Sequence, residues 1–127
     1  MDDHTPEALR ARLRAALPAA MKARDAAAVA ALRSALAAID NAEAVAVEPA
    51  PPVSIGDGEI AMAAVGLGAG DVARRTLTSA QIAEIVRGEV AERRSAAGDF
   101  ERSGRSDRAR RLHAEADVLA AHLAAHA

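Results

Sequence analysis

The sequence contains no cysteine, tryptophan or tyrosine, and Phe100 is its one aromatic residue. Without cysteine the chain has no disulfide, no thiolate metal site and no cysteine nucleophile. Because small secreted domains commonly depend on disulfides, this absence predicts a cytoplasmic protein. A single phenylalanine also excludes the aromatic stacking platform on which binders of single-stranded nucleic acid rely.

Long apolar runs are missing as well. No segment approaches the roughly 20 consecutive apolar residues that span a membrane, and the acidic start of the sequence does not resemble a signal peptide. We therefore expect no membrane as a partner. The formal net charge of −2 argues against a protein that coats nucleic acid by bulk charge. Residues 87–111 nevertheless contain eight arginines against five acidic residues, which is a local basic excess.

Alanine dominates an apolar content of 51%. It is the strongest helix former, whereas the aromatic and β-branched residues that favour strands are scarce. The composition therefore predicts an all-α protein with a thin core. A chain of 127 residues is long enough for one domain, so we expect a single domain over residues 1–127.

Two apolar stripes predict a first helical hairpin over residues 5–46. Thr5 and Pro6 are typical of a helix start, and Asp25 is positioned to cap a second helix. The stripes recur at helical spacing and comprise Leu9, Leu13, Leu17 and Met21, then Val29, Leu32, Leu36 and Ile39. Residues 47–77 are rich in proline and glycine, which predicts a long loop.

A second hairpin is predicted over residues 78–126. Thr78 and Gln81 match a capping box, and Gly104 is typical of a helix end. The apolar face of the third helix is expected to bury Phe100 and to leave the arginines outside. The predicted architecture is thus two helical hairpins, four helices in all, joined by a long loop that contains glycine and proline.

Residue patterns typical of a catalytic, metal or cofactor site are absent from the sequence. His122 and His126 have the spacing of two zinc ligands on a helix, but no third ligand lies near them in the sequence. The glycines between Gly66 and Gly70 lack the spacing of a phosphate-binding loop. No serine has an adjacent base in the pattern of a nucleophile. We therefore assign no catalytic, metal-binding or cofactor-binding residue, and we expect no enzyme activity.

Two segments, residues 19–43 and 77–123, resemble the GatB/YqeY family. The resemblance is carried by MKARD at 21–25, Leu32-Arg33, NAE at 41–43, Arg93-Arg94 and Gly104-Arg105, in that order and spacing. It covers about two thirds of the chain. Longer members of the family continue into a small second helical bundle, which this sequence lacks after its fourth predicted helix.

This resemblance implies a relation to the tail domain of the B subunit of glutamine-dependent amidotransferases, which contacts tRNA without doing chemistry. The implied function is an accessory binding module for tRNA or for a tRNA-modifying enzyme. The alternative is a helical protein-interaction or homo-oligomerisation domain with no RNA role. The candidate binding residues are Lys22, Arg24, Arg33, Asn41, Arg93, Arg94, Arg105 and Arg108. A purely structural reading stands beside this one, in which Asp25 caps a helix and Arg33 pairs with an acidic residue.

Overall fold

A computed structural model describes residues 6–45 and 76–126 of the chain. These residues form four α-helices: α1 (Pro6–Lys22), α2 (Ala26–Val45), α3 (Ser79–Arg102) and α4 (Ser106–His126). No strand occurs within the described ranges, so the predicted all-α class is confirmed. The predicted loop over 47–77 lies outside the described residues except for its last two positions. In this part of the chain, no helix has the length and apolar character needed to cross a bilayer.

Capping residues explain where the helices begin. Asp25 Oδ1 accepts a hydrogen bond of 3.1 Å from the Ala28 amide, so the predicted cap of α2 is confirmed. At α3, Thr78 Oγ1 accepts from the Gln81 amide and Gln81 Oε1 accepts from the Thr78 amide, which confirms the predicted capping box. Each cap satisfies amides that the first helical turn leaves without partners.

The chain divides into two units, Met1–Asp40 with Leu77–Ala127, and Asn41–Thr76. In the first unit, α3 and α4 pack against each other, and α1 packs against both. Ser34 on α2 donates a 2.7 Å hydrogen bond to Glu89 on α3, which ties α2 to the same group of helices. The arrangement as two hairpins stays a prediction, as does the single domain.

Small and medium-sized apolar side chains build the core of the first unit. The largest fully buried ones are Leu9, Leu13, Leu32, Ile39, Ile82, Val86 and Leu119. Alanines fill the remaining positions, including Ala31, Ala35, Ala97 and Ala116, and are buried just as completely. The predicted thin, alanine-rich core is therefore present in the described residues.

Two expectations about burial were wrong. Met21 closes the predicted stripe of α1, yet it is 49% exposed, because α1 ends one residue later and its last turn extends beyond the core. Phe100 is only half-buried, because it lies in the last turn of α3, next to the link to α4. Both residues lie beside the turns that carry the candidate binding residues.

Candidate binding surfaces at the turn end

The link between α1 and α2 and the link between α3 and α4 lie at the same end of the first unit. Arg111 Nη2 donates a 3.3 Å hydrogen bond to the carbonyl oxygen of Ala26. Ala26 is the first residue of α2, and Arg111 lies five residues after the start of α4, or about 7.5 Å along its axis. We call this end, with its two links Ala23–Asp25 and Ser103–Arg105, the turn end.

Both links have the hydrogen bonds of a Schellman motif, in which the residue after the helix adopts a left-handed backbone. After α3, that residue is Gly104, with φ of 81°. The Arg105 amide donates to the Phe100 carbonyl at 2.8 Å, and the Gly104 amide donates to the Glu101 carbonyl at 3.1 Å. The predicted role of Gly104 as a helix stop is confirmed.

After α1, the equivalent residue is Arg24, with φ of 58°. The Asp25 amide donates to the Ala20 carbonyl and the Arg24 amide to the Met21 carbonyl, each at 3.0 Å. Arg24 is the one residue other than glycine with a positive φ among the described residues. The sequence contains no glycine at this link, so sequence reasoning had no signal for this conformation.

A cluster of two arginines around one phenyl ring forms the tip of the α3–α4 link. The guanidinium carbons of Arg105 and Arg108 lie 5.8 and 5.5 Å from the centroid of the Phe100 ring. Both distances are in the range of a cation–π contact. Neither arginine pairs with a carboxylate of the described residues, and both are exposed. We call Phe100, Arg105 and Arg108 the tip cluster.

The neighbouring arginines of the same link are different, because each has an acidic partner one turn away. Arg102 pairs with Asp99, and Arg110 pairs with Asp107. Each of these two pairs therefore has no net charge. Arg105 and Arg108 of the tip cluster, by contrast, have no carboxylate partner among the described residues.

A shallow groove lies beside the α1–α2 link, with a volume of about 510 Å³. It is lined by Met21, Arg24, Ala26, Val29, Ala30 and Arg33, and we call it the Met21 groove. Arg33 Nη2 lies 3.9 Å from the Met21 sulfur, and neither Arg24 nor Arg33 pairs with a carboxylate of the described residues. The structural interpretation of Arg33 predicts an ion pair with an acidic residue. No such pair occurs among the described residues.

The stripe pattern predicted that Arg93 lies on the outside of α3, and this prediction was wrong. Its side chain is 13% exposed, and its Nε donates to Glu115 Oε1 at 2.9 Å. Its Nη1 donates to Glu89 Oε1 at 2.8 Å. Glu89 also accepts from Ser34, and Glu115 accepts from Arg111 at 3.0 Å. This network joins α2, α3 and α4.

The remaining candidate residues are spread over different places. Lys22 is exposed at the end of α1, next to the Met21 groove. Arg94 is exposed and pairs with Asp117 at 3.1 Å. Asn41 is exposed in the later part of α2, which belongs to the second unit. The structure thus groups Arg24 with Arg33, and Arg105 with Arg108, and gives Arg93 a set of internal partners.

His122 and His126 line a second groove, between α1 and α4, together with Arg12 and four alanines of α1. Burial lowers the pKa of His122, and the nearby positive charge of Arg12 lowers it further. Across the described ranges, no three His, Cys, Asp or Glu side chains are close enough to hold a metal ion together. Nothing in this groove provides the third ligand that a zinc site would need.

No protein-family model matches this chain, and neither does any curated protein or solved structure. The resemblance to the GatB/YqeY family therefore stays a prediction made from the motifs alone.

Proposed function

We propose that this chain is a non-catalytic accessory binding module, of the kind that the resemblance to amidotransferase tail domains implies, and that it binds structured RNA such as tRNA. The observation that supports this proposal best is the tip cluster. The salt-dependent part of RNA binding comes from positive side chains that neutralise phosphates, which favours arginines that no carboxylate already neutralises. Arg105 and Arg108 meet this requirement within the described residues, whereas Arg94, Arg102 and Arg110 each have an acidic partner.

The ring of Phe100 adds preorganisation. A guanidinium held over an aromatic face has fewer conformations to lose when it binds an anion, and its edge remains free to donate to phosphate oxygens. The half-buried ring is itself fixed by α3. Recognition of this kind reads the backbone and shape of a folded RNA, because phosphate contacts carry no direct sequence information.

The test is binding of the full chain to purified tRNA over a series of salt concentrations. The double variant Arg105→Ala/Arg108→Ala removes two phosphate contacts, so the slope of log K against log salt should fall in magnitude by about 2. The matched control is Arg102→Ala/Arg110→Ala. It lowers the net charge equally and at the same link, but it removes arginines that already pair with aspartates, so it should change the slope much less.

A third variant, Phe100→Leu, keeps both charges but removes the aromatic face. We expect it to weaken tRNA binding with little change in the salt slope, because the number of phosphate contacts stays the same. Absence of tRNA binding at low salt would overturn the proposal. Equal slopes for the two double variants would also overturn it, because the binding would then depend on total charge and not on the tip cluster.

A further inference from the structure

Met21 is the one large apolar side chain that the described residues leave exposed, at 49%. Its unbranched thioether adapts to the shape of a partner, which makes methionine common at protein-binding surfaces. It lies in the Met21 groove beside Val29 and two alanines of α2. The groove therefore offers an apolar floor at a surface where most neighbouring side chains are charged or small.

Two arginines line the groove together with these apolar side chains. Ala26, Val29, Ala30 and Arg33 follow one another at helical spacing along one face of α2, which sets Arg33 about 10 Å from the start of the helix. Arg24, in the preceding link, also lines the groove. Since neither arginine has a carboxylate partner in the described residues, the groove combines apolar side chains with two positive charges that no carboxylate neutralises.

The backbone of Arg24 provides a second argument. A left-handed residue at the end of a helix is usually glycine, because a side chain at that position strains the backbone. Here φ of Arg24 is 58° and the residue carries one of the longest side chains. Strain of this kind is often kept where the side chain has a function. Because the Arg24 side chain lines the Met21 groove, a ligand of this groove would account for the strained backbone.

We propose that the Met21 groove binds an acidic amphipathic helix of a partner protein, which inserts a large apolar side chain against Met21 and Val29 and places carboxylates near Arg24 and Arg33. This is the helix-in-groove mode of peptide recognition. The proposal does not depend on RNA binding by the tip cluster.

Two other occupants fit the groove less well. RNA phosphates gain nothing from the apolar floor, because a charged group loses hydration there without a compensating contact. A second copy of the chain would need its own exposed apolar anchor, and the described surface has no large one besides Met21 itself. A contact between two Met21 side chains would bring together the arginines of both copies, which repel each other.

The experiment is a selection of displayed random 16-residue peptides on the full chain, with counter-selection on the folded variant Met21→Ser. We expect the enriched peptides to share a large apolar residue flanked by Asp or Glu at helical spacing. Affinity of one enriched synthetic peptide is then measured on three variants. Met21→Ser should weaken it about tenfold, because it removes the central apolar contact. Arg24→Gln/Arg33→Gln should weaken it several-fold at low salt, and less at high salt.

The matched control is Arg102→Gln/Arg110→Gln, which removes two exposed arginines of the same turn end and should leave peptide affinity unchanged. Circular dichroism confirms that each variant is folded. Enrichment of peptides without acidic residues, or equal affinity of Met21→Ser and the unaltered chain, would overturn the proposal. So would a concentration-dependent dimer that Met21→Ser abolishes, because the groove would then bind a second copy.

Binding of tRNA is measured on the same variants, so that the two proposals are distinguished. Met21→Ser changes no charge, and we expect it to leave tRNA affinity unaltered while peptide affinity falls. If tRNA displaced the peptide and Met21→Ser weakened both ligands equally, the groove would be part of an RNA surface and the inference would be wrong.

Discussion

Arg24 occupies a backbone conformation that costs an ordinary residue about 1–2 kcal/mol and costs glycine almost nothing. The variant Arg24→Gly should therefore raise the free energy of unfolding by about 0.5–1 kcal/mol, after allowance for the greater freedom of glycine in the unfolded chain. Urea unfolding followed by circular dichroism measures this change. The same substitution should weaken binding of the acidic helix proposed for the Met21 groove.

Gly104 provides the complementary measurement. A Cβ atom added there would meet nothing within 4 Å, so any cost of Gly104→Ala comes from the backbone alone. We expect a loss of about 1 kcal/mol, because alanine is strained at a φ of 81°. The opposite signs of these two substitutions depend on the left-handed conformation of both residues. A destabilising Arg24→Gly would contradict this account of the α1–α2 link.

At the scale of helices, His122 lies in the groove between α1 and α4, so its environment depends on how these two helices pack. Its pKa in the folded chain is below the ordinary value of about 6.5, through burial first and the charge of Arg12 second. The unfolded chain therefore binds a proton at a higher pH than the folded chain does. The contribution to stability is complete above about pH 6.5 and is lost as the pH falls towards the pKa of the folded state.

We expect His122→Gln to reduce the fall in stability between pH 7 and pH 5, measured as the free energy of unfolding in urea at each pH. Arg12→Gln should reduce the fall by a smaller amount, since it removes the lesser of the two causes. An unchanged pH dependence in His122→Gln would show that other groups determine the acid sensitivity of the fold.

The helices were predictable where their signals are local. Asp25, Thr78 with Gln81, and Gly104 each act on amides or carbonyls within one turn, so a short stretch of sequence contains all that the motif needs. The end of α1 was less predictable, because Arg24 carries no signal for a left-handed backbone. The prediction of burial failed at the helix ends for a related reason. An apolar stripe predicts which face of a helix turns inward, but not how far the neighbouring helices extend beside Met21 or Phe100.

The candidate binding residues were harder to predict than the fold. Arg93 and Arg94 are adjacent in the sequence and both are arginines, yet one lies in a network between three helices and the other pairs at the surface. Their partners, Glu115 and Asp117, are more than 20 residues away. Such pairs depend on how helices pack, which the charge pattern of one helix does not specify. The tip cluster was easier to predict than these pairs, because its three residues lie within nine positions of the sequence.

At the scale of the whole molecule, different arginines are expected to support stability and binding. The network around Arg93 stabilises the packing of three helices, whereas the tip cluster is the proposed binding site. Glu89 and Glu115 are only 15% and 11% exposed, and Arg93 is the group that donates to both. Without it, two carboxylates would remain largely buried and close to each other, with Ser34 and Arg111 as their remaining partners. Removal of one member of a buried ionic group commonly costs several kcal/mol, because the other members lose their compensation.

Arg93→Ala should therefore lower the free energy of unfolding by about 2–3 kcal/mol, whereas Arg94→Ala, which breaks an exposed pair, should lower it by less than about 1 kcal/mol. Urea unfolding by circular dichroism compares the two, and Glu115→Gln combined with Arg93→Ala should cost less than the sum of the single changes. Equal costs at the two positions would contradict the network. The expected difference also decides which arginines a binding experiment should alter. Loss of tRNA binding in an Arg93 variant would result from disturbed packing of α2, α3 and α4. Loss in an Arg105 and Arg108 variant would result from removal of the tip cluster itself.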